Sequence, residues 1–383
     1  MPFPPSPHFT PLFLESAYNA DRRQLVGGLA PRTGALPDWS LEAAYGDRAF
    51  HGIPFALGAA ERDNVVLLGG SSAPDEVRIE LDSTLVSYLI FLHAVEDQAE
   101  SELAGFGPIG PAPLAGRNAG NDLGGHVSDY VLVFADGREV ATPILRRFAI
   151  QQRHVTWGAS PFAAVPARDP AVFTTGSDDY YLERRAAQPW GRGEVRHDSS
   201  RAVDLENLWL YALPNPEPET PIEAIVLRGR DERSVVYGIS ATRLAEHPLR
   251  PGARRKLRLS LPEGVALNAI GEIDADSRDP AIAIDLGTVI SARAALDYDA
   301  ATWEGAAADV QPAASSTAVV VEYAAHPAGR LSVSTGAGLP LTVDLPRGDA
   351  VTDGQTALRI EPVATADRPV RVRAIDKQTR QPV

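Results

Sequence analysis

The sequence predicts an all-β protein composed of tandem antiparallel β-sandwiches. Short runs rich in Val, Ile, Leu and Tyr recur along the chain, and Gly and Pro, with 32 residues each, separate these runs over the whole length. Brief apolar strands bounded by turn residues are typical of antiparallel sheets. At 383 residues the chain is too long for one compact sandwich, so two or three domains are expected.

A first sandwich with long loops is predicted over residues 39–246, after an N-terminal extension over residues 1–38. Asp136-Gly137 separates two of its strands and predicts a hairpin with a type I′ turn. Leu14–Leu25 and Glu96–Ala104 are the candidates for short helices. The predicted strands are Asn64–Leu68, Glu76–Leu81, Ser87–Ala94, Tyr130–Phe134, Glu139–Ile144, Asn207–Leu213, Glu223–Leu227 and Ser234–Thr242.

A second, smaller sandwich is predicted over residues 247–369, where aromatic residues become sparse and apolar and polar residues alternate. Such alternation is typical of strands with one face on a core and one in water. Residues 370–383 are expected to begin a further β domain or a tail. The predicted strands are Lys256–Leu261, Ala281–Asp285, Ala318–Glu322, Gly329–Ser334 and Leu341–Leu345.

Charge and composition narrow the classes of partner. The 50 acidic and 36 basic side chains give a formal net charge of −14. That charge repels phosphate backbones and anionic lipid, so neither nucleic acid nor a membrane is predicted as a partner. The chain has no cysteine, which excludes disulfides, thiolate metal sites and a cysteine nucleophile. The first residues lack the features of a secretory signal, and a cytoplasmic location is predicted.

No catalytic motif is recognisable, and no cofactor is predicted. The eight histidines show none of the H-x-H, H-x-x-H or H-E-x-x-H spacings that place two imidazoles on one metal. Asp178-Asp179 is interpreted as a solvated loop pair rather than as a glycosidase carboxylate pair. At Asp274 and Asp276 a solvated loop is again the simpler interpretation, with a calcium site as the alternative.

Aromatic and polar residues cluster at the predicted strand ends and long loops of the first sandwich. Tryptophan beside hydrogen-bonding groups is suited to gripping a sugar ring, by stacking and by directed hydrogen bonds. The alternative is that the tryptophans fill the core and the interface between domains. The candidate ligand-binding residues are His51, His93, Asp97, His126, Asp129, Trp157 and Trp190.

Several segments of the chain resemble a galactose-binding-like jelly roll, a module that accompanies bacterial glycoside hydrolases. They resemble more closely the N-terminal region of large bacterial metal-dependent hydrolases of the polymerase-and-histidinol-phosphatase superfamily, of the carbaryl-hydrolase type. In that family a later β domain begins with D-x-x-T-x-x-P-V, to which Asp376–Val383 is similar. The segments that carry the resemblance are Tyr18–Asp21, Phe50–Gly58, Leu89–Ala94, Asp129–Gly137, Pro143–Arg147 and Leu208–Pro216.

The resemblance implies a jelly-roll fold for the first sandwich and an accessory role beside a hydrolase. The metal-binding His and Asp motifs of the family have no counterpart here, so no catalytic residue is carried over. The expected function is a non-catalytic binding or scaffolding module for a carbohydrate or a small polar ligand, or one that docks on a catalytic domain or subunit. The alternatives are a hydrolase whose site forms from dispersed His and Asp residues or is completed by another chain or domain, and a structural assembly subunit.

Overall fold

The fold is taken from a computed structural model, which describes residues 4–25, 45–71, 73–95, 123–153, 160–167, 208–261, 282–297, 313–333, 340–345, 352–353 and 358–363. Within these ranges the chain is all-β, with antiparallel pairing between its strands and a single short 3₁₀ turn at Arg22–Gln24. The predicted fold class is therefore confirmed. Predicted features over Glu96–Ala104, over residues 370–383, and at Trp157, Trp190 and the four loop aspartates lie outside the described residues.

The first sandwich consists of two facing sheets. One contains β1 (Phe9–Leu12), β4 (Val66–Leu68), β6 (Tyr88–Val95), β9 (Ala164–Pro166), β10 (Trp209–Pro214) and β12 (Ser234–Thr242), in the order β1-β12-β6-β10-β9 with β4 also on β12. The other contains β5 (Glu76–Thr84), β7 (His126–Phe134), β8 (Glu139–Leu145) and β11 (Ile222–Gly229), in the order β5-β11-β7-β8.

The first sheet is buried on both faces. Phe91 and Ile239 point into the core between the two sheets, with Tyr130 and Leu132 of β7 opposite them. Neighbouring residues such as Leu92 point the other way, into a second apolar cluster. That cluster is covered by a two-stranded hairpin of β2 (Gly46–Phe50) and β3 (Ile53–Leu57). Burial on both faces explains why these strands are almost continuously apolar.

The second sandwich pairs a five-stranded with a three-stranded sheet. Its strands are β13 (Arg255–Ser260), β14 (Ile282–Ile284), β15 (Gly287–Asp297), β16 (Ala313–Ala325), β17 (Arg330–Val333), β18 (Leu341–Asp344), β19 (Thr352–Asp353) and β20 (Arg359–Pro362). The larger sheet has the order β15-β16-β13-β20-β19 and the smaller the order β14-β17-β18. Alternate residues such as Leu257, Val321 and Leu331 form one core between the two sheets.

The predicted hairpin at Asp136-Gly137 forms, but its turn differs from the prediction. The Gly137 N–H donates to the Phe134 carbonyl at 2.8 Å, and Gly137 alone has a positive φ, of +80°. This is a type I turn followed by a left-handed glycine, the common three-residue hairpin loop. The two-residue loop with both φ positive occurs instead between β2 and β3, at His51 (φ +50°) and Gly52 (φ +73°).

The N-terminal segment is part of the first sandwich. Residues 9–12 pair with β12, and Leu14–Leu25 forms no α-helix and only the 3₁₀ turn at Arg22–Gln24, so the prediction of a helix over this segment is wrong. The reason lies in Asn19, whose side chain donates to the Leu67 carbonyl at 3.0 Å and accepts from the Leu67 N–H at 2.8 Å. The segment therefore uses its hydrogen bonds to extend the edge of β4 instead of closing helical turns on itself.

Asn19→Ala should destabilise the protein, because it leaves the backbone N–H and C=O of Leu67 without their partner. We expect a loss of roughly 2 kcal/mol in the free energy of unfolding, measured by urea denaturation. Glu15→Ala in the same segment is the control, since the ion pair of Glu15 with Arg62 is exposed and such pairs contribute little. Equal stability of the two variants would contradict this role of Asn19.

Candidate functional site

One end of the first sandwich gathers loops from four parts of the chain, in which the described residues are 69–71 with 73–75, 123–126, 146–153 with 160–163, and 230–233. We call this the loop end. The Gly70 N–H donates to the Arg230 carbonyl, and the Arg146 N–H donates to the Gly125 carbonyl, each at 2.8 Å. These bonds bring together loops that are far apart in sequence.

A buried polar network around Arg146 holds the loop end together. The Arg146 side chain is 1% exposed and forms an ion pair with Glu232 from the facing loop. Its Nη1 also donates to Gln151 Oε1 at 2.8 Å. The Trp209 indole N–H donates to the Gln152 carbonyl at 3.0 Å, which ties the same loop to β10. A guanidinium without solvent must be paired and hydrogen-bonded, so this network fixes the loop geometry.

Two phenylalanines are exposed on the surface of this end. Phe148 is 40% exposed and Phe162 is 69% exposed, with ring centroids 5.6 Å apart and planes tilted by 52°. Two backbone hydrogen bonds join the segments that carry them, from the Phe162 N–H to Arg147 and from the Ala163 N–H to Phe148. Arg147 has a positive φ of 63°, and its guanidinium lies 5.7 Å from the Phe162 ring centroid. The aromatic pair is therefore held by its backbone rather than by burial.

His93 lies directly beneath this loop and is completely buried. Its Nε2 is 2.9 Å from the Ala149 carbonyl, so Nε2 carries the proton of a neutral ring. Its Nδ1 then accepts from the Tyr130 hydroxyl at 2.8 Å. Burial lowers the pKa of His93 from 6.5 to about 3. His93 thus acts as a neutral support for the loop that carries Phe148, and its prediction as a ligand contact is corrected.

His126 and Asp129 form a polar group at the edge of the loop end. His126 Nε2 lies 2.8 Å from Asp129 Oδ1, and Arg230 donates to the other carboxylate oxygen. Partial burial acts to raise the pKa of Asp129, but the hydrogen bonds from Arg230 and His126 outweigh it and the pKa is lowered. Asp129 is therefore an anion that orients a half-exposed imidazole.

The structure brings together only some of the predicted site residues. His126 and Asp129 lie in contact at the loop end, and His93 lies below it in the core. His51 occupies the β2–β3 turn, where its Nε2 is 2.7 Å from the Pro166 carbonyl, so it acts in the fold rather than at the loop end. Asp97, Trp157 and Trp190 lie outside the described residues.

Arg146, Phe148 and Phe162 were not predicted from the sequence. The run Arg146-Arg147-Phe148 gives a partial signal, because it lies just beyond the predicted strand Glu139–Ile144 and places two cations beside an aromatic ring. Nothing in the pattern indicates which arginine is buried and which ring is exposed. That distinction depends on the left-handed backbone at Arg147.

Among the described residues no group of three or more His, Asp and Glu side chains is placed to hold a metal ion. No helix there is long and apolar enough to cross a bilayer. In comparisons with known proteins, no family model matches the chain, and no curated protein matches it.

His93 should lower the free energy of unfolding in acid. Because its pKa is about 3 when folded and 6.5 when unfolded, the unfolded chain binds a proton that the folded chain does not. Stability from this residue is full above pH 6.5 and falls by up to about 1.4 kcal/mol per unit as the pH drops towards 3. His93→Gln, which keeps both hydrogen-bonding groups, should flatten the pH dependence of the unfolding free energy.

The control for that measurement is Phe13→Ala, which removes an exposed side chain that does not titrate. The stability of this variant should depend on pH as that of the unsubstituted protein does, to within a few tenths of a kcal/mol per unit. If His93→Gln retained the full slope between pH 6.5 and 4, the neutral buried state of His93 would be refuted.

Proposed function

We propose that the chain is a non-catalytic β-sandwich binding module that holds a carbohydrate at the loop end. The observation that carries the proposal is the exposed pair Phe148 and Phe162, fixed in place above a buried polar network. Burial of apolar surface lowers the free energy, so two exposed aromatic rings held close together favour a ligand that covers them.

The chemistry of this surface suits a sugar. The C–H face of a pyranose ring packs on an aromatic ring, while its hydroxyl groups need donors and acceptors at the rim. Phe148 and Phe162 offer the ring faces, and His126 and Asp129 offer polar atoms at the same end of the sandwich. Because the rings are tilted by 52°, one flat ring cannot stack on both, which favours a bent or linked ligand of two sugar units.

An accessory role beside a hydrolase is part of this proposal. The resemblance of the chain to the front part of metal-dependent hydrolases and to modules of glycoside hydrolases supports it. A binding module of this kind raises the local concentration of substrate at a catalytic domain, which increases turnover without any catalytic group of its own.

Phe148→Ala and Phe162→Ala should each weaken glycan binding roughly tenfold, which corresponds to about 1.4 kcal/mol for one lost stacking contact. A glycan array identifies the ligand, and calorimetry gives the affinities. Phe13→Ala is the matched control, because Phe13 is 78% exposed and lies outside the loop end. Each variant should keep its unfolding midpoint, since the removed rings are exposed.

No glycan binding by the unsubstituted chain would refute the carbohydrate proposal. Equal loss of affinity in Phe13→Ala and Phe148→Ala would refute the placement of the binding site at the loop end. Loss of affinity in the two loop-end variants alone, with unchanged unfolding, would establish both.

The alternative function is a hydrolase, and the His126–Asp129 hydrogen bond is the observation that favours it. A carboxylate that orients an imidazole is the base half of a catalytic triad. Under this alternative, purified protein hydrolyses esters, amides or glycosides, and His126→Gln abolishes the activity, with bound zinc or manganese if a metal is used. Activity that survives in His126→Gln, or its absence from the unsubstituted chain, would leave binding as the function.

A further inference from the structure

The two sandwiches meet at a junction with close backbone contact. Leu286, in the turn after β14, packs in the outer apolar cluster of the first sandwich beside Ile53 and Leu92. A Cβ built on Gly52 would lie 2.0 Å from the Asp285 carbonyl oxygen, so any side chain there would force the two surfaces apart. Arg330 donates to Asp285 and also to the Pro5 carbonyl at 2.7 Å. The second sandwich is therefore seated directly on the first.

Two histidines form the turns that complete this junction. Nδ1 of His326 accepts the Ala328 N–H at 3.0 Å, and Nδ1 of His247 accepts the Leu249 N–H at 3.3 Å. Leu249 and Ala328 pack on the outer apolar cluster. Each histidine thus holds in place the residue two positions further along the chain, Leu249 or Ala328, which makes an apolar contact at the junction.

Only an unprotonated Nδ1 can accept these hydrogen bonds. A protonated imidazole carries hydrogen on both ring nitrogens and donates from both, so it cannot accept from a backbone N–H. Protonation of either ring would set two N–H groups against each other and open the turn. His326 is 1% exposed, and the His247 ring lies 5.5 Å from the ring of Tyr88, so neither ring can turn away without breaking the packing.

Charged and titratable groups around the two rings act in both directions. His326 faces Glu246 and Asp285, which favour its protonation, and His8, which opposes it. Burial is the largest effect and lowers the pKa of His326. Burial also lowers the pKa of His247, with the charge of Arg250 and the proximity of His326 acting in the same direction. The Asp285 carboxylate also accepts hydrogen bonds from the backbone N–H and the guanidinium of Arg330.

We propose that His247 and His326 form an acid-sensitive latch that holds the two sandwiches together at neutral pH and releases them in acid. Each neutral ring caps a turn at the junction, and each protonated ring breaks that cap. The separated surfaces return the histidines to water, where their charged form is favoured. The two sandwiches stay folded, because the core between the facing sheets of each lies away from the junction. The outer apolar cluster of the first sandwich loses only its contacts with the junction residues Leu286, Leu249 and Ala328.

The direction and size of the effect follow from proton linkage. Both histidines bind a proton more weakly in the closed state, so opening takes up protons and is favoured by acid. The equilibrium constant for opening should rise by up to tenfold per pH unit for each histidine below pH 6.5, until the pKa of the closed state is reached.

The test is a distance measurement between the two sandwiches. Because the chain has no cysteine, nitroxide labels react only with cysteines that are introduced. Ser71→Cys at the loop end and Thr317→Cys on β16 provide one exposed site on each sandwich. Double electron–electron resonance at pH 7.5 should give one narrow distance distribution. At pH 5.0 the distribution should become longer and broader.

Substitution by asparagine separates titration from structure. Asn Oδ1 accepts a backbone N–H two residues on, as histidine Nδ1 does here, but it does not titrate. The variant carrying both His247→Asn and His326→Asn should keep the narrow distribution at pH 5.0. Gly52→Ala should open the junction at both pH values, and His126→Asn should behave as the unsubstituted chain does.

An unchanged distribution between pH 7.5 and 5.0 would overturn the proposal. Acid broadening that persists in the double asparagine variant would overturn it as well. Hydrogen exchange in β6 and β16 separates release from unfolding, since a latch leaves protection in both strands intact at pH 5.0. Loss of protection in both strands together would show global unfolding and refute the latch.

Discussion

Burial of the β6–β12 sheet on both faces is the constraint on which the rest of the structure depends. Along β6, Leu89 and Phe91 enter the core between the two sheets, while Ile90 and Leu92 enter the outer cluster. A sheet with two apolar faces needs two covers. The four-stranded sheet forms one cover. The β2–β3 hairpin, the N-terminal segment and Leu286 of the second sandwich form the other.

The same constraint explains how the loop end is built. A strand buried on both faces has no place for a charged group, and His93 is accommodated there as a neutral ring. Its proton must then go to a carbonyl, and the Ala149 carbonyl is the acceptor. A core histidine thus fixes the backbone one residue from Phe148. The position of the exposed Phe148 therefore depends on buried groups such as His93, which no ligand contacts.

The sequence was sufficient for many of the strands in the sandwich cores and insufficient for the others. Ser234–Thr242 was predicted residue for residue, because Val235, Val236 and Ile239 favour a strand and turn residues bound the segment. β2 was missed, since Gly46–Phe50 is largely polar and exposed and pairs only with β3. The turn type at Asp136-Gly137 was wrong because glycine fits both loops, and the choice between them depends on strand register.

The candidate site shows the same division. His126 and Asp129 were predicted because they precede the predicted strand Tyr130–Phe134, among aromatic and polar residues at strand ends and loops, and they do meet. His93 was predicted as a ligand contact because it lies near the end of the predicted strand Ser87–Ala94, but it is buried in the core. Phe148 was not predicted at all. Whether a ring after a strand is buried or exposed depends on long-range pairing, here with the segment that carries Phe162.

Among the histidines that the structure describes, His93, His247 and His326 share one chemical role with different consequences. In each, one ring nitrogen accepts a hydrogen bond and the ring is held neutral, His93 by the Tyr130 hydroxyl and His247 and His326 by backbone N–H groups. His93 lies between two sheets, so its protonation requires the sandwich itself to open. The other two lie at a junction that can separate while both cores remain intact. Acid therefore acts first where burial comes from contact between domains, and only later where it comes from the core of one.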